Sequence, residues 1–157
     1  MNRTEFGLNK LKIIPMRPSD IRAVMAIDAR SFACAWTSHA FQTELNNRAA
    51  TYIVAKLDDC VLGYAGLWIV SEDAHITTLA VMPEYRSRHI GERLLIACID
   101  VAKRRNAKCV SLEVRVSNII ARQLYDKFGF EVTGEREHYY TDNGENALVM
   151  SLYISGE

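Results

Sequence analysis

Leu79-Ala80-Val81-Met82-Pro83-Glu84-Tyr85-Arg86-Ser87-Arg88-His89-Ile90-Gly91-Glu92-Arg93-Leu94-Leu95 is the stretch that decides the fold. An apolar run ends at Pro83, which cannot donate to a sheet ladder. A short loop with two arginines follows, and a helix opens at once. Over His89–Asn106 the residues Ile90, Leu94, Leu95, Cys98, Val101 and Ala102 form one apolar stripe. Lys103-Arg104-Arg105 fill the last turn, where cations suit the dipole. The next segment, Lys108–Arg115, alternates strictly: Val110, Leu112 and Val114 face one way, Ser111, Glu113 and Arg115 the other. A helical crossover between two strands implies a parallel pair.

Outward from this unit the signals are mostly hairpins. Upstream, Thr51–Leu57, Val61–Val70 and Ala74–Met82 read as strands joined by the short gaps Asp58-Asp59-Cys60 and Ser71-Glu72-Asp73. Gly63 and Gly66 are possible bulge positions. Before them lie a short extended segment, Lys12–Arg17, a helix opened by Pro18-Ser19-Asp20 and running to about Ser31, and a second helix capped at Thr37-Ser38. Downstream, Ser117 is the expected cap of a helix from Asn118 to Phe128, with Gly129 just past its end. Phe130–Glu137 and Ala147–Ile154 are two further strands around Asn143-Gly144. The order β-α-α-β-β-β-α-β-α-β-β predicts a mixed α/β (α+β) fold. Its sheet is mostly antiparallel with one parallel crossover pair, and helices cover both faces.

The chain has 157 residues, 49% hydrophobic and 24% charged, with nineteen basic residues balancing nineteen acidic ones. This predicts one domain over residues 11–157 after a polar leader at 1–10. Zero net charge speaks against a nucleic-acid-coating role. No apolar run is long enough to span a membrane, and nothing at Met1–Lys10 resembles a signal peptide. Cys34, Cys60, Cys98 and Cys109 form no C-x-x-C pair, so no metal site is expected. They read as reduced, mostly buried thiols of a cytoplasmic protein. No oligomeric state is read from the sequence.

Cations just before a helix N-terminus oppose its dipole. Arg86 and Arg88 therefore either pair with Glu84 and Glu92 or flank an anion, and a phosphate or pyrophosphate fits the free amides of a helix start. Neither a Walker loop nor a G-x-G-x-x-G fingerprint is present.

The pattern as a whole, from Ile13 to Leu152, resembles the GNAT superfamily of acetyl-CoA-dependent N-acetyltransferases. Arg86-Ser87-Arg88-His89-Ile90-Gly91 is similar to that family's pyrophosphate loop, Q/R-x-x-G-x-G/A. Leu112-Glu113-Val114-Arg115-Val116-Ser117-Asn118, then Leu124-Tyr125, Phe128-Gly129-Phe130 and Tyr139-Tyr140 through Met150 resemble the RimI-like branch. That branch acetylates protein N-termini, its type member the N-terminal alanine of a ribosomal protein. His89 departs from the motif, standing where its first glycine would be. It keeps the N–H but adds a ring that either crowds a pyrophosphate or donates to it. A charge role for His89 predicts acetyl-CoA affinity that weakens as pH rises through ~6.5.

The resemblance implies roles at matching positions. Glu113 is the candidate general base, against the alternative of a solvated carboxylate paired with Arg115. Tyr125 is the candidate general acid, since a phenol near ~10 can protonate a departing thiolate near ~8.5. The alternative is a half-buried aromatic of an amphipathic helix. Leu79, Ala80 and Val81 would act through backbone, pairing with the pantetheine arm or donating to the thioester oxygen. Asn118 lies two turns from Tyr125 on one helix face and would line that arm. Trp36, Tyr139 and Tyr140 are candidate walls for a peptide N-terminus. Glu131, Glu135 and Glu137 on one strand face, with Asp142 and Glu145, make either an acidic rim for a cationic peptide or a solvated edge. His39, His75 and His138 are given no role.

The expected chemistry is direct transfer from acetyl-CoA to an α-amine in a ternary complex. No cysteine occupies a motif position, so an acetyl-enzyme is disfavoured. The acceptor is a protein or peptide N-terminus, a ribosomal protein among the candidates, with no nucleic acid and no membrane as partner. Two alternatives stand beside it: an acetyltransferase for a small amine, and a CoA-binding module without catalysis.

Overall fold

The computed structural model describes residues 7–154, so Met1–Phe6 of the expected leader lie outside the described residues. Within the rest of that leader, Leu8–Lys10 form a 3-10 turn. The strands are β1 (Lys12–Pro15), β2 (Ala50–Leu57), β3 (Cys60–Val70), β4 (Asp73–Val81), β5 (Cys109–Arg115), β6 (Glu131–Arg136) and β7 (Ala147–Tyr153). The helices are α1 (Ile21–Ser31), α2 (Ser38–Leu45), α3 (Ile90–Arg104) and α4 (Ile119–Lys127). The seven strands run in the order β1-β2-β3-β4-β5-β7-β6. The predicted crossover is there: β4 and β5 are parallel, with Asp73, Ala74 and His75 opposite Cys109, Val110 and Ser111. β1 with β2, β5 with β7, and β6 with β7 are antiparallel. None of the helices is long and apolar enough to cross a membrane.

The chain groups into two compact units, Met1–Leu67 with Thr78–Cys98, and Trp68–Thr77 with Ile99–Glu157. In the first, Val24 and Ile27 of α1, Phe41 of α2, Val54 of β2 and Tyr64 of β3 are all 1% exposed or less. Thr37 caps α2 as predicted, accepting from the Ala40 N–H at 3.1 Å. Gly63 and Gly66 mark close packing. A Cβ at Gly63 would sit 2.9 Å from the Ala80 carbonyl and 3.0 Å from Leu94 Cδ1. One at Gly66 would run into the ring of Tyr52.

In the second unit the strict alternation of β5 is realised. Val110, Leu112 and Val114 are buried, while Ser111, Glu113 and Arg115 are of intermediate exposure on the other face. Gly129 adopts φ +92° just past α4, as a helix-ending glycine does. The cap of α4 differs from expectation: Asn118, not Ser117, accepts the Ala121 N–H at 3.2 Å. The cysteines also differ, since only Cys98 is buried, whereas Cys34 and Cys60 are exposed and Cys109 lies between.

Candidate functional site

Two constellations hold the residues singled out by sequence, one in each unit. In the first unit, Met82 leads into a 3-10 turn, Pro83–Tyr85, and the loop then enters α3. Ser87 (φ +61°) and His89 (φ +66°) both adopt the left-handed backbone that glycine takes easily. His89 thus keeps the conformation of the glycine it replaces. Its imidazole is turned to Glu92, Nδ1 to Oε2 3.0 Å, and is 74% exposed. The helix ladder opens with the Arg93 N–H donating to the His89 carbonyl at 3.1 Å. The amides of Ile90 and Gly91 precede it, among the first-turn donors an α-helix does not itself satisfy.

Arg86 folds back on the preceding strand. Arg86 Nε donates to the Val81 carbonyl at 3.2 Å, and its guanidinium reaches Ser31 Oγ at 3.5 Å. Arg88 lies over the Tyr85 ring at 5.4 Å. Glu84 pairs with Arg30 at 2.6 Å instead. Ala80 and Val81 are buried and Leu79 partly so, consistent with action through backbone. Those three residues lie beyond the parallel register with β5.

Trp36 is also in the first unit. It is 41% exposed, its ring 5.3 Å from Phe41. Its position follows from a buried carboxylate. Asp28, 4% exposed, accepts the Trp36 N–H at 2.7 Å and the Tyr64 hydroxyl at 2.5 Å. Thr78 donates in turn to the Tyr64 oxygen at 3.2 Å. Burial, then the hydrogen bond to Asp28, pushes the Tyr64 hydroxyl far above its ordinary pKa.

In the second unit Glu113 is the centre. Its side chain is only 10% exposed. His75 Nε2 stands 2.5 Å from its Oε2, and Arg136 Nε 3.3 Å from its Oε1. The expected alternative partner, Arg115, is engaged elsewhere: with Asp142 at 2.9 Å, Glu145 at 3.3 Å and the Tyr140 ring at 3.9 Å. The His75 hydrogen bond, reinforced by the charges of His75 and Arg136 and opposed by burial, holds the Glu113 carboxyl below the usual carboxylate range. Sequence reasoning gave His75 no role. The signal was the parallel register, which sets His75 opposite Ser111 and therefore on the same sheet face as Glu113.

Arg136 reaches this face because β6 is irregular. Glu131 pairs with Ser151 and Val132 with Met150, but Gly134 then pairs with Val149 and Arg136 with Ala147. Thr133 is the extra residue of a bulge, its hydroxyl 2.9 Å from Ser151 Oγ. The bulge puts Glu131 and Glu135 on opposite faces, correcting the expectation of one acidic face. Asp142 and Glu145 are tied to Arg115, and the Ser117 N–H donates to Glu145 at 2.8 Å. The acidic rim is thus dispersed. Tyr139 and Tyr140 do come together, rings 5.1 Å apart, with Arg136 over Tyr139 at 5.8 Å. Burial pushes the Tyr140 hydroxyl up to about 12 against the lowering effect of Arg115. Tyr125 is 9% exposed with its ring 5.8 Å from Phe130.

Comparison with known proteins accords with this arrangement. Residues 21–130 match the model of the acetyltransferase (GNAT) family. A Bacillus subtilis protein, provisionally named a ribosomal protein bS18-alanine N-acetyltransferase, is 46% identical over 93% of this chain and 97% of its own. The Salmonella typhimurium ribosomal protein bS18-alanine N-acetyltransferase is 35% identical over 87% of this chain and 93% of its own. The crystal structure of the Escherichia coli ribosomal-protein-S18-alanine N-acetyltransferase superposes with a TM-score of 0.85 at 29% identity, covering 94% of this chain and 96% of that one. An anion-ready strand-to-helix loop, an outward strand carboxylate and these matches converge: the chain belongs to the GNAT family of acetyltransferases.

Proposed function

We propose that residues 11–157 act as one domain that transfers acetyl from acetyl-CoA to the N-terminal α-amine of a cytoplasmic protein, a ribosomal protein with N-terminal alanine being the leading acceptor. The names of the Bacillus and Salmonella relatives support that acceptor. The observation that carries the chemistry is Glu113: a carboxylate kept ionised by His75 and Arg136 on an outward strand face.

The loop Arg86–Gly91 fits a diphosphate. Two left-handed residues flank Arg88. A Cβ at Gly91 would meet only Val81 Cγ2 at 3.7 Å and Leu79 Cδ2 at 3.8 Å, ordinary contacts. Internal packing therefore does not demand glycine there, whereas close backbone approach of a phosphate does. Arg86, Ser87, Arg88, His89, Ile90 and Gly91 would hold the diphosphate. The backbone of Leu79, Ala80 and Val81 and the side-chain amide of Asn118 would align the pantetheine arm. Acetyl-CoA supplies an activated acetyl thioester when bound.

With acetyl-CoA bound, Glu113 would accept the proton of the attacking amine and Tyr125 would be the proton donor to the departing thiolate. An α-amine near ~7.7–8 is partly neutral at physiological pH, so one carboxylate suffices to deprotonate it. Trp36, Tyr139 and Tyr140 would wall the acceptor. The test is acetyl-CoA turnover on short peptides beginning with Ala, Ser or Met, beside a panel of polyamines and amino sugars, with mass readout of the modified nitrogen. Acetylation of the Ala peptide at its α-nitrogen is expected; turnover confined to small amines would overturn the acceptor.

A further inference from the structure

Resting on the reading of Glu113 as base, we propose that His75 is the positioning residue of that base, donating its Nε2–H to Oε2 so that the carboxylate is held at a fixed angle on the open face of β5. Three features carry this. His75 Nε2 and Glu113 Oε2 are within hydrogen-bond distance, 2.5 Å apart. It links neighbouring strands at the stretch where β4 and β5 are in parallel register, so both ends are fixed by backbone pairing rather than by a loop. Arg136 occupies the other oxygen, Oε1, at 3.3 Å. With both oxygens held, the carboxylate cannot rotate, and the lone pairs left over define one approach for the amine.

The groups that face Glu113, among the described residues, are few. His75 comes from β4, Arg136 from β6 and Tyr140 from the 137–146 loop. β7 contributes the uncharged Val149 directly opposite. On β5 itself Arg115 is bound to Asp142 and Glu145. His75 is the first cause of the lowered Glu113 carboxyl, and burial pulls the other way. Removing the donor therefore both frees the rotor and lets burial raise the acid strength midpoint. The imidazole N–H stays on His75 throughout; the proton shed by the amine resides on Glu113 and leaves from there to solvent.

The experiment uses three variants of the full chain: His75→Leu, His75→Gln and Glu113→Gln. Gln places an amide donor where Nε2 stood, whereas Leu places none. Turnover is measured on an Ala-starting peptide, and the Glu113 carboxyl is titrated by carbon-13 NMR in the absence of substrate, with Glu113→Gln assigning the resonance. His75→Leu should lower kcat about 10- to 100-fold with KM for acetyl-CoA unchanged, the loss expected of a misaimed group. It should also move the Glu113 midpoint to higher pH. His75→Gln should restore most of both. Were His75→Leu to leave kcat and midpoint as in the parent while Glu113→Gln abolished turnover, the positioning role would fall and the base would stand. Were Glu113→Gln itself fully active, the base reading would fall. If the Leu variant did not fold, His75→Ala takes its place as the donor-free variant: a loss of kcat and a raised midpoint that His75→Gln restores sustain the proposal, and a parent-like His75→Ala overturns it.

Discussion

Two carboxylates, a buried one in the first unit and a partly exposed one in the second, are held in opposite ways. Asp28 is 4% exposed, and its partners, the Tyr64 hydroxyl and the Trp36 N–H, are uncharged donors that hold a helix, a strand and a loop at fixed distances. Glu113 is less enclosed, and it faces an imidazole and a guanidinium. A carboxylate satisfied by neutral donors locks geometry. One satisfied by ionisable or cationic groups has its proton affinity set by them. The same functional group is therefore a staple in one place and a chemical tool in the other.

The sharpest way to break this contrast is to remove each carboxylate in turn. Glu113→Gln should reduce kcat by about 100-fold or more, within the span of general-base contributions, while acetyl-CoA binding by calorimetry stays near the parent value. Asp28→Ala should do the reverse. It strands the Tyr64 hydroxyl and the Trp36 N–H in the interior, costing about 2–4 kcal/mol in urea denaturation, and kcat per folded molecule should change far less. Equal losses of turnover in the two variants would erase the distinction.

A smaller effect concerns the loop in the first unit. His89 holds φ +66° without being glycine. His89→Gly should relieve about 1 kcal/mol of backbone strain and tighten acetyl-CoA binding a few-fold. If the imidazole instead grips the diphosphate, the variant binds more weakly.

The smallest effect is one of pH. The folded-state pKa of Glu113 lies below the ordinary carboxylate value. Its contribution to stability is thus present above the unfolded value, near ~4.3, and is lost as pH falls through the folded one. The stability difference between the parent and Glu113→Gln, followed by denaturant titration from pH 6 to pH 3, should shrink as the pH falls. A difference that grew in acid would contradict the assignment of His75 and Arg136 as donors to the charged form.

The fold was legible in the sequence wherever side-chain period reports burial. The alternation of β5, the stripe of α3, the Thr37 cap and the hairpin gaps all appear at or within two residues of their predicted places. What escaped was set by pairing between strands. His75 and Glu113 are 38 residues apart, and only the register of β4 on β5 brings them together. The cap of α4 fell to Asn118 because Asn and Ser are equally good caps, and the sequence Ser117-Asn118 offers both. Arg86 was read, with Arg88, as pairing with a nearby carboxylate or flanking an anion. It is instead folded back on the last carbonyl of β4, a contact no spacing rule announces.

Thr133 has a further consequence. Were β6 to straighten without losing a residue, Glu135 rather than Arg136 would stand opposite Ala147. An anion would then replace a cation beside the base, and Glu113 would hold its proton to higher pH instead of releasing it. Deleting Thr133 should be harmless, because the pairs on either side already match a regular ladder; inserting one residue between Gly134 and Arg136 should not. The polarity of the surroundings of Glu113 is thus written in the residue count of an outer strand, where length variation is ordinarily treated as silent.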